Sequence, residues 1–136
     1  MYDIVQSSYR SEPVVTNSET AVLVVEDEAL ILIDICNELA DLGFRVFQAS
    51  NARQAIEELM LHPDIQVMFT DIDMPGDIDG LRLAKLVRGR WPPIKIIITS
   101  GKHRLTKDDL PVVGTFISKP YYPASVASAI HEIMAA

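Results

Sequence analysis

This sequence predicts a doubly wound α/β fold, with a parallel sheet of five strands between two layers of helices. Three observations lead there. Short apolar runs rich in Val and Ile alternate along the chain with segments of helical period, about five of each. The first of those runs, AVLVV, is apolar at every position, as a strand covered on both faces is. At 136 residues, the chain holds one domain with its own core and is too short for two ordinary ones.

The elements follow in order. Residues 1–19 are polar and turn-forming (SSYRSEP, TNSET) and form a flexible or peripheral arm, which leaves 20–136 as the domain. AVLVVED is a first strand that ends abruptly in acid. Residues 28–42 are helical, with Leu32, Ile35, Leu39 and Leu42 on one side and Asp34, Glu38 and Asp41 on the other, and Gly43 stands where a helix C-cap is expected. The acidic stripe is either a solvated face or a docking face. Residues 44–49 are a second strand. Asn51 and Gln54 form a capping box for a helix in which Ala52, Ala55, Ile56 and Leu59 follow the i, i+3, i+4, i+7 template. IQVMFT is a third strand running into DIDMPGDIDG. A helix from about Gly80 to Arg90 buries Leu83, Leu86 and Val87; Trp91 ends it and Pro92-Pro93 stops it. IKIIIT is the most strand-like run of all. KHRLTKDDLP has poor helical periodicity, and Pro111 limits any helix there. VGTFISKP supplies a fifth strand, and residues 123–134 a last helix with Val126, Ile130, Ile133 and Met134 on one face.

Composition narrows the function. A net charge of -7 argues against nucleic acid and anionic membranes, whose binding rests on an excess of Lys and Arg. The single cysteine, Cys36, has no internal disulfide partner and sits in a helical pattern, as a small buried apolar residue does. The opening MYDIVQSSYR is unlike a signal peptide, and no run approaches the ~20 apolar residues of a membrane span. A cytoplasmic domain is the expectation. DIDMPG is not a calcium loop: its fifth position is Pro75 and its twelfth Arg82. His62, His103 and His131 lack zinc-ligand spacing, and no GxxxxGK[ST] phosphate loop is present.

What remains is at the strand ends. In open parallel sheets, ligands bind beyond the carboxyl ends of the strands. Here those ends read Glu26-Asp27-Glu28, Asp71-Ile72-Asp73, Thr99-Ser100-Gly101 and Ser118-Lys119-Pro120. Carboxylates crowded within a few ångströms cannot all stay ionised without a cation, and a hard divalent ion such as Mg²⁺ resolves that conflict. A lysine beside them suits a phosphoryl oxygen, and Thr99 offers a hydrogen bond to another. The chemistry this set supports is phosphoryl transfer to a carboxylate. Taken alone, Asp71 and Asp73 would pass for turn and capping residues, and Lys119 for a surface lysine.

These motifs resemble the receiver domain of two-component signalling: paired acids after the first strand, Asp-x-x-Met-Pro after the third, Thr after the fourth and Lys-Pro after the fifth. The resemblance covers about residues 20–136 and extends to single-domain, chemotaxis-regulator-like receivers. It implies a flavodoxin-like (βα)5 fold with strand order 2-1-3-4-5. It implies Asp71 as phosphoacceptor, Asp27 as direct Mg²⁺ ligand, Glu26 as a ligand directly or through water, and Asp73 as a ligand through its backbone carbonyl. Thr99 and Lys119 would hold phosphoryl oxygens, Lys119-Pro120 would be a cis peptide, and Phe116 would swing inward with Thr99 as the switch. The implied partners are a histidine kinase or phosphotransfer protein, a downstream target protein and a second copy of the chain, with neither DNA nor membrane. The chain would act as an enzyme only on itself, and either pass its signal by contact or serve as a phosphate sink.

The sequence departs from the receiver pattern in three places. Gly76 to Gly80 makes a loop one residue longer than usual, the stretch from Thr99 to Lys119 is about two residues short, and Phe116 lacks a tyrosine hydroxyl. Two other readings compete. A phosphatase of the haloacid dehalogenase type also uses Asp-x-Asp after an apolar strand, but on its first strand and with a cap for which this chain has no room. A pseudo-receiver would be a non-phosphorylated interaction module, against which the intact set of Asp27, Asp71, Thr99 and Lys119 argues.

Overall fold

The computed structural model describes residues 19–74, 80–101 and 114–136. The elements are β1 (Ala21–Val25), α1 (Ala29–Asp41), β2 (Arg45–Ala49), α2 (Ala52–Leu61), β3 (Val67–Asp71), α3 (Gly80–Arg90), β4 (Lys95–Ser100), β5 (Thr115–Ser118) and α4 (Pro123–Ala135). All strand pairings are parallel, in the order β2-β1-β3-β4-β5. The fold is therefore the doubly wound α/β sheet with strand order 2-1-3-4-5. Four helices lie among the described residues. The expected arm up to residue 18, the enlarged loop at 75–79 and the weakly patterned stretch 102–113 fall outside them.

Side-chain alternation builds the layers. Successive strand residues point to opposite faces, so Leu23, Val25, Met68, Ile96 and Ile98 pack with Ala55, Leu59, Leu83 and Val87 of α2 and α3. The intervening Val22, Val24, Val67, Phe69 and Ile97 pack with Leu32, Ile35, Leu39, Val126 and Ile130 of α1 and α4. All five residues of β1 (AVLVV) and of β3 (VMFTD) are buried, as strands covered on both faces are. Burying an aliphatic side chain contributes about 1.5–3 kcal/mol before ordering costs, so these two central strands anchor the sheet.

Local signals fix the element ends. At the end of α1, Gly43 takes φ 99°, its N–H donates to the Ala40 carbonyl, and the Phe44 N–H donates to Leu39. This pair of bonds is a Schellman motif, with glycine in the left-handed position it favours. Leu42, expected on the buried side, is instead the capping residue and is exposed: the helix ends before its side chain can turn inward. Asn51 caps α2 by accepting from the Gln54 N–H at 2.8 Å. The Gln54 side chain closes the box one residue earlier than expected, accepting from the Ser50 N–H at 2.8 Å and the Ser50 hydroxyl at 2.7 Å. In α3, Gly80, Leu83, Ala84 and Val87 are buried, whereas Leu86 is only half-buried because the buried stripe runs through Ala84. Trp91 lies just past that helix. Ile133 and Met134 of α4 are also half-buried, and Cys36 is buried as expected.

Candidate functional site

The alternation that builds the core also builds the site. Counting along each strand from the residues packed under α1 and α4, Val24 leads to Glu26, Phe69 to Asp71, Ile97 to Thr99 and Ile117 to Lys119. Register brings these together. Val25 pairs with Thr70, Asp71 with Thr99, and Ser100 with Ser118, so the four side chains emerge side by side at one sheet edge.

The Asp71 carboxylate is buried and gripped at both oxygens. Oδ1 accepts from the Asp73 backbone N–H at 2.8 Å, and the Lys119 ammonium lies 2.8 Å from Oδ2. The same ammonium is 3.7 Å from Glu26 Oε1, an ion pair beyond hydrogen-bond reach. The peptide bond between Lys119 and Pro120 is cis. Desolvation by itself lowers the Lys119 pKa, but the hydrogen bond it donates to Asp71 and the charges of Asp71, Glu26 and Asp73 raise it above its usual value.

Glu26 and Asp27, adjacent in sequence, are sorted to opposite environments. Glu26 is 3% exposed and Asp27 lies at the surface. Burial pushes the Glu26 carboxyl up to about 7. The Glu28 N–H, bonded to Oε2 at 3.0 Å, works against that rise, the Asp71 charge adds to it, and Lys119 opposes it. Among the described residues, Glu26 Oε1 and Thr99 Oγ1 are buried with no hydrogen-bond partner. One oxygen from each of Glu26, Asp27 and Asp71 falls within 4.8 Å of the others. An orphaned carboxylate oxygen in a cluster of three acids fits a hard divalent cation with oxygen ligands.

The remaining expected residues stand nearby. The Asp73 carboxylate accepts from the Ser100 hydroxyl and the Gly101 N–H at the end of β4. Phe116 is half-buried against the α2 and α3 side, the opposite face of the sheet from Thr99. Asp34, Glu38 and Asp41 are all exposed on α1. Three residues near the site had no assigned part in the sequence. The Tyr121 ring packs edge-to-face on Phe69 at 5.3 Å, and its phenol is pushed up to about 12, first by burial and then by the charges of Glu26 and Asp71. Gly80 opens α3 against the backbone of Asp71 and Ile72, where an added Cβ would strike the Asp71 carbonyl oxygen. Ser100 is buried beside Thr99. A glycine at the first turn after a site loop was the available signal for Gly80; Ser100 gave none beyond its place at a strand end. Among the described residues, no helix is long and apolar enough to cross a membrane.

Comparison with known proteins agrees with this geometry. Residues 22–131 match the family model of the response regulator receiver domain. The chain is 31% identical over 118 residues to chemotaxis protein CheY1 of Helicobacter pylori, covering 82% of this chain and 94% of that one. It is 36% identical over 85 residues to an NtrX-like response regulator of Rickettsia felis, 62% of this chain but 18% of that much longer protein. A response regulator receiver protein from Sinorhizobium medicae superposes with a TM-score of 0.79 at 29% identity, covering 89% of this chain and 98% of the other.

Proposed function

The chain belongs to the response regulator receiver family, and on that premise we propose that it takes a phosphoryl group onto Asp71 from a histidine kinase or phosphotransfer protein, in a Mg²⁺-dependent reaction. One observation carries the reading. The buried Asp71 carboxylate has an ammonium 2.8 Å from one oxygen and shares a 4.8 Å cluster with Glu26 and Asp27.

In the reaction, an Asp71 oxygen bonds to the phosphorus of a phosphohistidine as the P–N bond breaks. The electron pair stays on the imidazole, which takes up a proton from water. Lys119 meets one phosphoryl oxygen as a point charge, and the unpartnered Thr99 hydroxyl donates to another. Glu26, Asp27 and Asp71, with the backbone carbonyl of Asp73, would hold Mg²⁺, which supplies neutralisation of the gathered negative charge. Phe116 then changes rotamer with Thr99. Residues 20–136 are the receiver module, residues 1–19 an arm outside it. The module works in the cytoplasm, and its output is contact with a target protein or a second copy, or drainage of phosphoryl groups from a shared kinase.

The test is labelling by phosphoramidate or acetyl phosphate with Mg²⁺, read by intact mass. One phosphoryl group per chain, labile in base and absent from Asp71→Asn, is expected. Repeated turnover of phosphate monoesters would mark a phosphatase instead. Identical, unlabelled wild type and Asp71→Asn would mark a pseudo-receiver.

A further inference from the structure

Both oxygens of Asp71 are fixed by groups that trace back to one residue, Ser100. The Ser100 hydroxyl lies 3.0 Å from each carboxylate oxygen of Asp73, and the Gly101 N–H reaches Asp73 Oδ2 at 3.0 Å. Asp73 in turn donates its backbone N–H to Asp71 Oδ1 at 2.8 Å. On the other side, the Ser100 carbonyl accepts from the Lys119 N–H at 3.0 Å, and the Lys119 ammonium holds Asp71 Oδ2.

We infer that Ser100 and the Asp73 carboxylate form a clasp that positions Asp71 for phosphoryl transfer, a role resting on the receiver reading above. Asp73 has already left β3, so the strand ladder does not fix its peptide. Its side-chain bonds to the end of β4 do, across 27 residues of sequence. Ser100 is 1% exposed, so these bonds face little competition from water. Gly80 supports the same peptides from behind, against Asp71 and Ile72. The clasp is therefore a positioning device: the Asp73 side chain acts through its own N–H and does not touch the reacting atoms. Position matters here because a displacement of about 1 Å between reacting groups costs on the order of a hundredfold in rate.

The clasp needs an acceptor oxygen at residue 73 and does not need its charge, which gives a discriminating set of variants in the full-length chain. With saturating phosphoramidate and Mg²⁺, Asp73→Ala and Ser100→Ala should load phosphoryl about tenfold more slowly, and Asp73→Asn should recover most of the rate. A second readout needs no phosphoryl donor. The Asp73 amide should exchange its hydrogen about tenfold faster in Ser100→Ala, a near-isosteric change, and keep most of its protection in Asp73→Asn. Unchanged exchange in Ser100→Ala would overturn the clasp. So would an Asp73→Asn variant as slow as Asp73→Ala, since charge would then be the operative property. Failure of the wild type to load phosphoryl would instead overturn the receiver reaction, while amide exchange still decides the clasp.

Discussion

Replacing Glu26 with Gln should flatten the pH dependence of stability in the metal-free protein. The Glu26 carboxyl is raised from 4.5 to about 7, chiefly by burial. Between those values the folded chain keeps a proton that the unfolded chain has lost. Stability therefore falls as pH rises through that window. Each pH decade there is worth about 1.4 kcal/mol. A full crossing thus removes on the order of 3 kcal/mol, a large share of the 5–15 kcal/mol that holds an ordinary domain together. Lys119 adds nothing to this slope: its pKa lies above 10.5, so its contribution is present throughout and is lost only at higher pH. Gln still accepts from the Glu28 N–H and cannot ionise. Urea unfolding with a chelator, from pH 5 to pH 8, should show the wild type losing about 2–3 kcal/mol relative to the variant. Added Mg²⁺ should restore more stability at pH 8 than at pH 5. Parallel pH profiles for the two proteins would refute the reasoning.

Three further outcomes follow from local geometry. Thr99→Val removes a buried hydroxyl that has no partner among the described residues; it should raise stability by about 1 kcal/mol in thermal melts while slowing phosphoryl loading. A loss of stability would show that the hydroxyl is already satisfied. Gly80→Ala gains helix propensity but drives Cβ into the Asp71 carbonyl and to 2.5 Å from Ile72 Cα. Because backbone cannot yield as a side chain does, a net loss of about 2 kcal/mol is expected in urea. An unchanged midpoint would contradict that. Asn51→Ala deletes the α2 cap and should cost about 1 kcal/mol without altering phosphoryl loading, since α2 contributes no side chain to the site.

Where a single local signal decides the structure, the sequence was legible. The unbroken apolar run of β1, Gly43 after α1 and Asn51 before α2 each sit where their chemistry requires. The strand-end acids and Lys119 were legible for a similar reason: a parallel sheet brings all its carboxyl ends to one edge. Properties that depend on distant partners were hidden. No pattern within Glu26-Asp27 says which carboxylate turns inward; α1 and the rest of the sheet decide it. The Asp73 side chain finds Ser100 only after β3 and β4 pair, so a turn-forming aspartate gave no sign of it. Leu42 and Leu86 were misplaced because helical periodicity cannot say where a helix stops or whether the centre of the contact runs through Ala84 or Leu86.

The order of charges along the chain has a consequence for synthesis. Glu26, Asp27 and Asp71 leave the ribosome first, and Lys119 follows only after β5, which joins the sheet at its edge beside β4. A nascent chain that has completed β1 and β3 thus carries acids with no lysine to offset them. The last strand added is the one that completes the charge set, so the acidic cluster gains its lysine only when the sheet itself is finished.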